Sequence, residues 1–103
     1  MNNTQTNSVN SHQQMIGVDD SMQGMFNSGD AVLVDASVRS FHGDAVYAFR
    51  VGKNKYIASL QSIPDGGILV LPRKDGYQNW TITDDMNFEI AGRIIKGWRG
   101  QNV

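Results

Sequence analysis

Apolar and polar residues alternate along most of this chain in short runs, each closed by a turn signal. "AVLVDA" (31–36), "AVYAFRV" (45–51), "KYIASLQ" (55–61), "GILVLP" (67–72) and "MNFEIAGRIIKGW" (86–98) read as strands. Gly29-Asp30, Gly43-Asp44, "GKNK" and Pro64-Asp65-Gly66-Gly67 are the turns that separate them, and "RKDGYQNW" is a loop. Gly92 interrupts the last run, where a bulge or a close backbone approach is expected. One segment follows another period. In "SMQGMF" the apolar residues are Met22, Met25 and Phe26, a spacing that suits one or two helical turns capped by Asp20 or Ser21. The expected fold is therefore mainly β, with one short helix near the serine. Residues 1–14 differ from all of this: 11 of them are Asn, Gln, Ser or Thr, and none is charged. Such a stretch buries too little surface to offset its ordering entropy. It is expected to be a disordered linker (1–14) ahead of one domain (15–103).

Composition narrows the function. A chain of 103 residues suits one small domain. Its net charge of −1 argues against a free-standing nucleic-acid module, which would present a basic face. It has no cysteine, so disulfides and thiolate metal sites are excluded, and a reducing, cytoplasmic setting is expected. No apolar run approaches a membrane span, and no signal-peptide pattern opens the chain.

Candidate chemistry centres on Ser21, in "VDDSMQGMFNSGDAVLVD". A serine hydroxyl becomes a nucleophile only when a neighbouring base takes its proton. His42 in the turn "SFHGD" is one candidate base, and spacing alone does not exclude it, because triads assemble in space. The bland reading of His42 is an exposed turn residue. A lysine could serve instead if burial kept its amine neutral. Asp19-Asp20 and Asp84-Asp85 are adjacent carboxylates that point apart on extended chain, so they read as solvated turn residues. Two His and no Cys make no metal-ligand pattern, Gly24 and Gly29 make no phosphate loop, and no cofactor is expected. The methionines and Trp80 read as packing residues. Trp98, near the end of the last strand, is a candidate interface residue.

"GVDDSMQGMFNSGDAVLVD" resembles the serine segment of the LexA-type self-cleaving serine-lysine peptidases, which include LexA, UmuD and the C-terminal domains of many phage repressors. Ser21, Met22, Phe26, Gly29, Asp30 and Val34-Asp35 hold the family's places. "GDAVYAFRVGKNKYIASLQSIPDGGILVLP" and "IAGRIIKGW" resemble its later strands, so the likeness spans about residues 15–99. The chain departs from the family at the base. The family's lysine lies in a motif like Tyr-Val-Lys-Arg-Leu, and here "YIASL" puts Ala58 at that position. Alternation places Tyr56, Ala58 and Leu60 on one face, so Lys55 points to the other and Lys53 lies near the turn. Ala58 reads either as natural divergence or as an engineered lysine-to-alanine change.

The resemblance implies a LexA/signal-peptidase-like fold and a C-terminal regulatory and dimerisation domain of a phage-type transcriptional repressor. Ser21 would be the ancestral nucleophile, with backbone N–H groups around it as an oxyanion site. Without a lysine at 58 the chain is expected to be inactive in self-cleavage. The family's small-residue–Gly cleavage bond is also missing from 1–14. Implied partners are a second copy through "FEIAGRIIKGW", in a dimer or a higher oligomer, and either the RecA filament of the SOS response or an antirepressor protein. Operator DNA would be bound only through a helix-turn-helix domain absent from this chain. The alternative is a UmuD-like accessory subunit of an error-prone DNA polymerase. A third reading is a Ser21–His42 hydrolase.

Overall fold

A computed structural model describes residues 12–19 and 21–99. They form eight strands: β1 (Gln13–Gly17), β2 (Met22–Gly24), β3 (Ala31–Asp35), β4 (Ala45–Val51), β5 (Asn54–Ser62), β6 (Ile68–Leu71), β7 (Trp80–Ile82) and β8 (Phe88–Trp98). Their order is β1-β3-β8-β4-β5-β6-β7, with β2 added on β5. All pairings are antiparallel except β2 with β5, which is parallel. The β-rich expectation is met.

The expected short helix is not formed. "SMQGMF" contributes strand β2 instead, with Met22, Gln23 and Gly24 opposite Lys55, Tyr56 and Ile57. Gly24 decides this locally. Its φ of +127° is foreign to a helix, and a Cβ there would sit 2.0 Å from the Ile57 carbonyl oxygen. Met25 N–H then donates to that carbonyl at 3.0 Å, so the segment exchanges helical bonds for bonds to β5. The apolar spacing was real, but it serves a cluster across the sheet, where Met22, Met25 and Phe26 pack on Val18, Val32, Val34 and Ile57. Two further strands lie outside the alternating runs. β1 begins at Gln13, two residues ahead of the expected domain boundary, and pairs with β3. β7 begins at Trp80, the last residue of the expected loop.

The sheet wraps around two apolar clusters, and β5 separates them. Tyr56, Ala58 and Leu60 face Tyr47, Phe49, Val70, Ile82 and Ile90, whereas Ile57 faces Val18, Val32 and Val34. Two of these strands change partners along their length, β5 along one edge and β8 between its two opposite edges. β5 gives residues 55–57 to β2 and 59–62 to β6. β8 gives residues 88–93 to β4 and 93–98 to β3. Residues Ala91 and Ile95 are skipped in those two registers, so each is a bulge. Gly92 follows the first bulge, and a Cβ there would lie 2.4 Å from Val34 Cγ1 and 2.8 Å from the Asp35 carbonyl oxygen. The close approach expected at this glycine is present.

Candidate site at the fork of β5

Ser21 stands at the start of β2, in a turn built by Asp19. The Ser21 N–H and hydroxyl both donate to Asp19 Oδ1, at 2.9 and 2.5 Å, and the Met22 N–H donates to the Asp19 carbonyl at 3.1 Å. This is an Asx turn, so the capping residue is Asp19 and it caps a turn. Asp20, the other expected cap, lies outside the described residues. The side-chain and backbone hydrogen bonds from Ser21, helped by nearby Lys55, hold the Asp19 carboxyl below its ordinary value. A carboxylate with a lowered pKa is a weaker base, so Asp19 is poorly suited to take the serine proton. The N–H groups of Ser21 and Met22, candidates for an oxyanion site, are already engaged inside this turn.

His42 is elsewhere. Its Nε2 lies 2.9 Å from Ser40 Oγ, and its N–H donates to the Tyr47 hydroxyl at 3.2 Å. The structure pairs this histidine with Ser40 and does not bring it to Ser21. His12 accepts a hydrogen bond from Ala36 N–H through its carbonyl, at 2.7 Å. Asp85 accepts the Thr83 hydroxyl, which confirms a turn role for that carboxylate. Among the described residues no group of three His, Cys, Asp or Glu side chains could hold a metal.

Ala58 occupies the fork of β5, after the last β2 rung at Ile57 and before the first β6 rung at Ser59. It is 1% exposed and lies directly opposite Tyr47 on β4. A lysine here would be desolvated among Tyr47, Phe49 and Leu60, the environment that keeps an amine neutral. Lys55 cannot fill that place. It belongs to the other face, where it lines a cavity with Met22, Val32 and Ile57.

A cleft of about 310 Å³ opens over Ala58. Gln23 and Gly24 of β2 form one wall, Val70 and Pro72 the floor beyond the fork, and Tyr77 and Trp80 the far side. Tyr56 packs against Trp80 with ring centroids 5.3 Å apart. Arg73, which follows Pro72, has φ of 57°, and its Nε donates to Ser59 Oγ at 3.1 Å. The cleft residues of 73–80 were read from sequence as loop, with Trp80 as a packing residue. The one available signal was the aromatic pair in "YQNW", and it carries no register information. The arrangement offers a partly apolar, aromatic-walled groove beside Ala58, with no basic side chain among its lining residues.

Comparison with known proteins gives the chain a family. A family model described as "Peptidase S24-like" matches residues 6–95. The chain is similar to a 26 kDa repressor protein of Escherichia phage HK022, with 35% identity over 78 residues. That match covers 74% of this chain and 33% of the phage protein. It is also similar to an HTH-type transcriptional regulator of Haemophilus influenzae, 29% identical over 77 residues, covering 73% of this chain and 32% of that protein. The chain thus spans about a third of the length of these relatives.

Proposed function

The chain belongs to the peptidase S24-like family, and from that premise we propose that it is a non-cleaving regulatory and dimerisation domain of a phage-type transcriptional repressor. The single observation that carries the loss of cleavage is Ala58. It fills the family's base position with a buried methyl, and the nearest polar partner of Ser21 is an acidified carboxylate. Losing one member of a nucleophile–base pair removes most of the rate enhancement. Ser21 is then the retained nucleophile position without a base, and the cleft over Ala58 is a former active-site groove.

Both relatives are named as a repressor or an HTH-type regulator, which favours this reading over a UmuD-like polymerase subunit. In the proposed whole protein, operator DNA is bound by a separate helix-turn-helix domain, and this domain holds two such domains together. Switching by an antirepressor protein suits a domain without a base better than RecA-promoted self-cleavage. The dimer contact is proposed on the C-terminal strand. Ile95 and Trp98 of β8 are exposed there at 43% and 38%, and Met15 of β1, across β3, at 61%. Apolar exposure of this kind marks contact surfaces.

The test is incubation of the full-length protein at alkaline pH, where a lysine base would be neutral. The chain is expected to stay intact, and Ser21 to remain unlabelled by a serine-reactive phosphonate. Cleavage or labelling that disappears in Ser21→Ala would overturn the proposal. A helix-turn-helix pattern in the coding sequence upstream would support the repressor assignment, and its absence would favour the polymerase-subunit alternative.

A further inference from the structure

The second divided strand, β8, leaves an edge open. Arg93 is paired on both sides, with Tyr47 of β4 and Asp35 of β3. Toward the N-terminal end of β8 the β4 side stays paired, down to Phe88 opposite Val51. The β3 side does not, because β3 ends at Asp35 and its chain turns away through the Val38 N–H to Asp35 carbonyl bond. Among the described residues no strand pairs with the β3-side edge of residues 88–92. A groove of about 570 Å³ runs along it. Its lining includes four consecutive β8 residues, Phe88, Glu89, Ile90 and Ala91. Successive strand residues point to opposite faces, so consecutive residues line one groove when the groove follows a strand edge. The opposite wall is Arg39, Ser40 and Phe41 of the β3–β4 connection.

The charge of the groove selects an occupant. Arg50 is paired with Glu89. Arg39 forms no ion pair among the described residues, so the groove carries one uncompensated cation. Two phenylalanines, Phe41 and Phe88, supply apolar wall. A second copy of the same edge is a poor fit, since two edges that each lie at the bottom of a walled groove cannot meet. Residues 1–11 contain no acidic residue to answer Arg39.

We propose that the open edge of β8 at residues 88–91 is a docking groove for a short extended segment of a partner protein that carries an acidic side chain opposite Arg39. The segment adds as a strand, its main chain bonding the edge and its apolar side chains resting on Phe41 and Phe88. The bulge at Ala91 limits the added strand to a few residues. The proposal rests on the edge and its charge alone, independent of whether Ser21 ever cleaves.

The experiment is an amide-resolved NMR titration with a panel of short synthetic peptides: alternating Val-Glu, alternating Val-Lys, and a backbone N-methylated Val-Glu version. The Val-Glu peptide is expected to shift the amides of residues 39–41 and 88–92. Arg39→Glu is expected to weaken its binding by about tenfold, as loss and reversal of a steering charge does, and high salt is expected to weaken it as well. The N-methylated peptide should not bind. No shift with any peptide, equal binding of the Val-Lys peptide, shifts centred on the Ala58 cleft, or concentration-dependent shifts at 88–92 without peptide would each overturn the proposal. Arg39 is exposed, so its replacement leaves the fold intact for the comparison.

Discussion

At the scale of single residues, Ser21 and Ala58 differ in how the fold holds them, one in an exposed turn and the other in the core. The Ser21 hydroxyl is held by Asp19, and that bond is the first cause of the lowered Asp19 carboxyl. Ser21→Ala is therefore expected to raise the Asp19 titration midpoint toward the ordinary 3.8, as read by carboxyl chemical shift against pH. The sign follows from linkage. A carboxyl depressed in the folded state contributes its full stability above the unfolded value, and loses it as pH falls through the lowered folded value. The wild-type turn should loosen in acid below 3.8, and the variant should lack this contribution at every pH. Ala58→Lys has the opposite sign. A buried amine is depressed below its free value of about 10.4, so the penalty is absent above that pH and grows as pH falls toward the folded value. Urea unfolding should find the variant less stable than wild type at pH 7 by about 2–4 kcal/mol, an unpaired buried charge being among the costliest replacements, with the gap narrowing toward pH 10. An equal gap at both values would show that the amine reaches water through the cleft. The buried Tyr47 hydroxyl donates to the Gly43 carbonyl at 2.8 Å and accepts from His42 N–H. Tyr47→Phe should cost about 1–2 kcal/mol in urea unfolding, because those partners are left short of a bond.

At the scale of elements, the two forks, on β5 and β8, decide where grooves form. A strand shared end to end by two neighbours has a gap or a bare edge where one stops, and side chains rather than backbone line that place. Gly24 is what lets β2 reach the β5 fork. Gly24→Ala meets the Ile57 carbonyl and demands a left-handed backbone from an L-residue, so it should lower stability by about 2 kcal/mol or more. Amide exchange should localise the damage to β2 and residues 55–57, and uniform loss of protection across the sheet would refute the local account. The strands β3, β4, β5, β6 and β8 were legible in sequence because each is an apolar run that packs in the core and is closed by turn signals. β1, β2 and β7 were not. β2 and β7 have three residues each and β1 is mostly exposed, so none carries a clear alternation, and each exists because a neighbouring strand offers it an edge. The expected helix failed for the same reason: backbone bonds to β5 outweighed a weak local preference over six residues.

At the scale of the whole molecule, the face of β1, β3 and β8 with Met15, Ile95 and Trp98 is where a second copy is proposed to sit. Ile95→Asp combined with Trp98→Asp should convert a dimer to a monomer in light scattering, with the thermal transition of each domain retained. A mass unchanged by the double substitution would move the contact elsewhere. The sequence by itself determined that this is a β-rich domain whose serine segment and later strands resemble the S24 family, and that position 58 carries only a methyl. Those are properties of residue type and local period, which need no neighbours. Only the tertiary structure decided that Ala58 is sealed against Tyr47, that Ser21 spends its hydroxyl on Asp19 while His42 turns to Ser40, and that β8 keeps an open edge beside Arg39. Each of these depends on which strand stops where along another, and that register is set by packing between residues far apart in the chain.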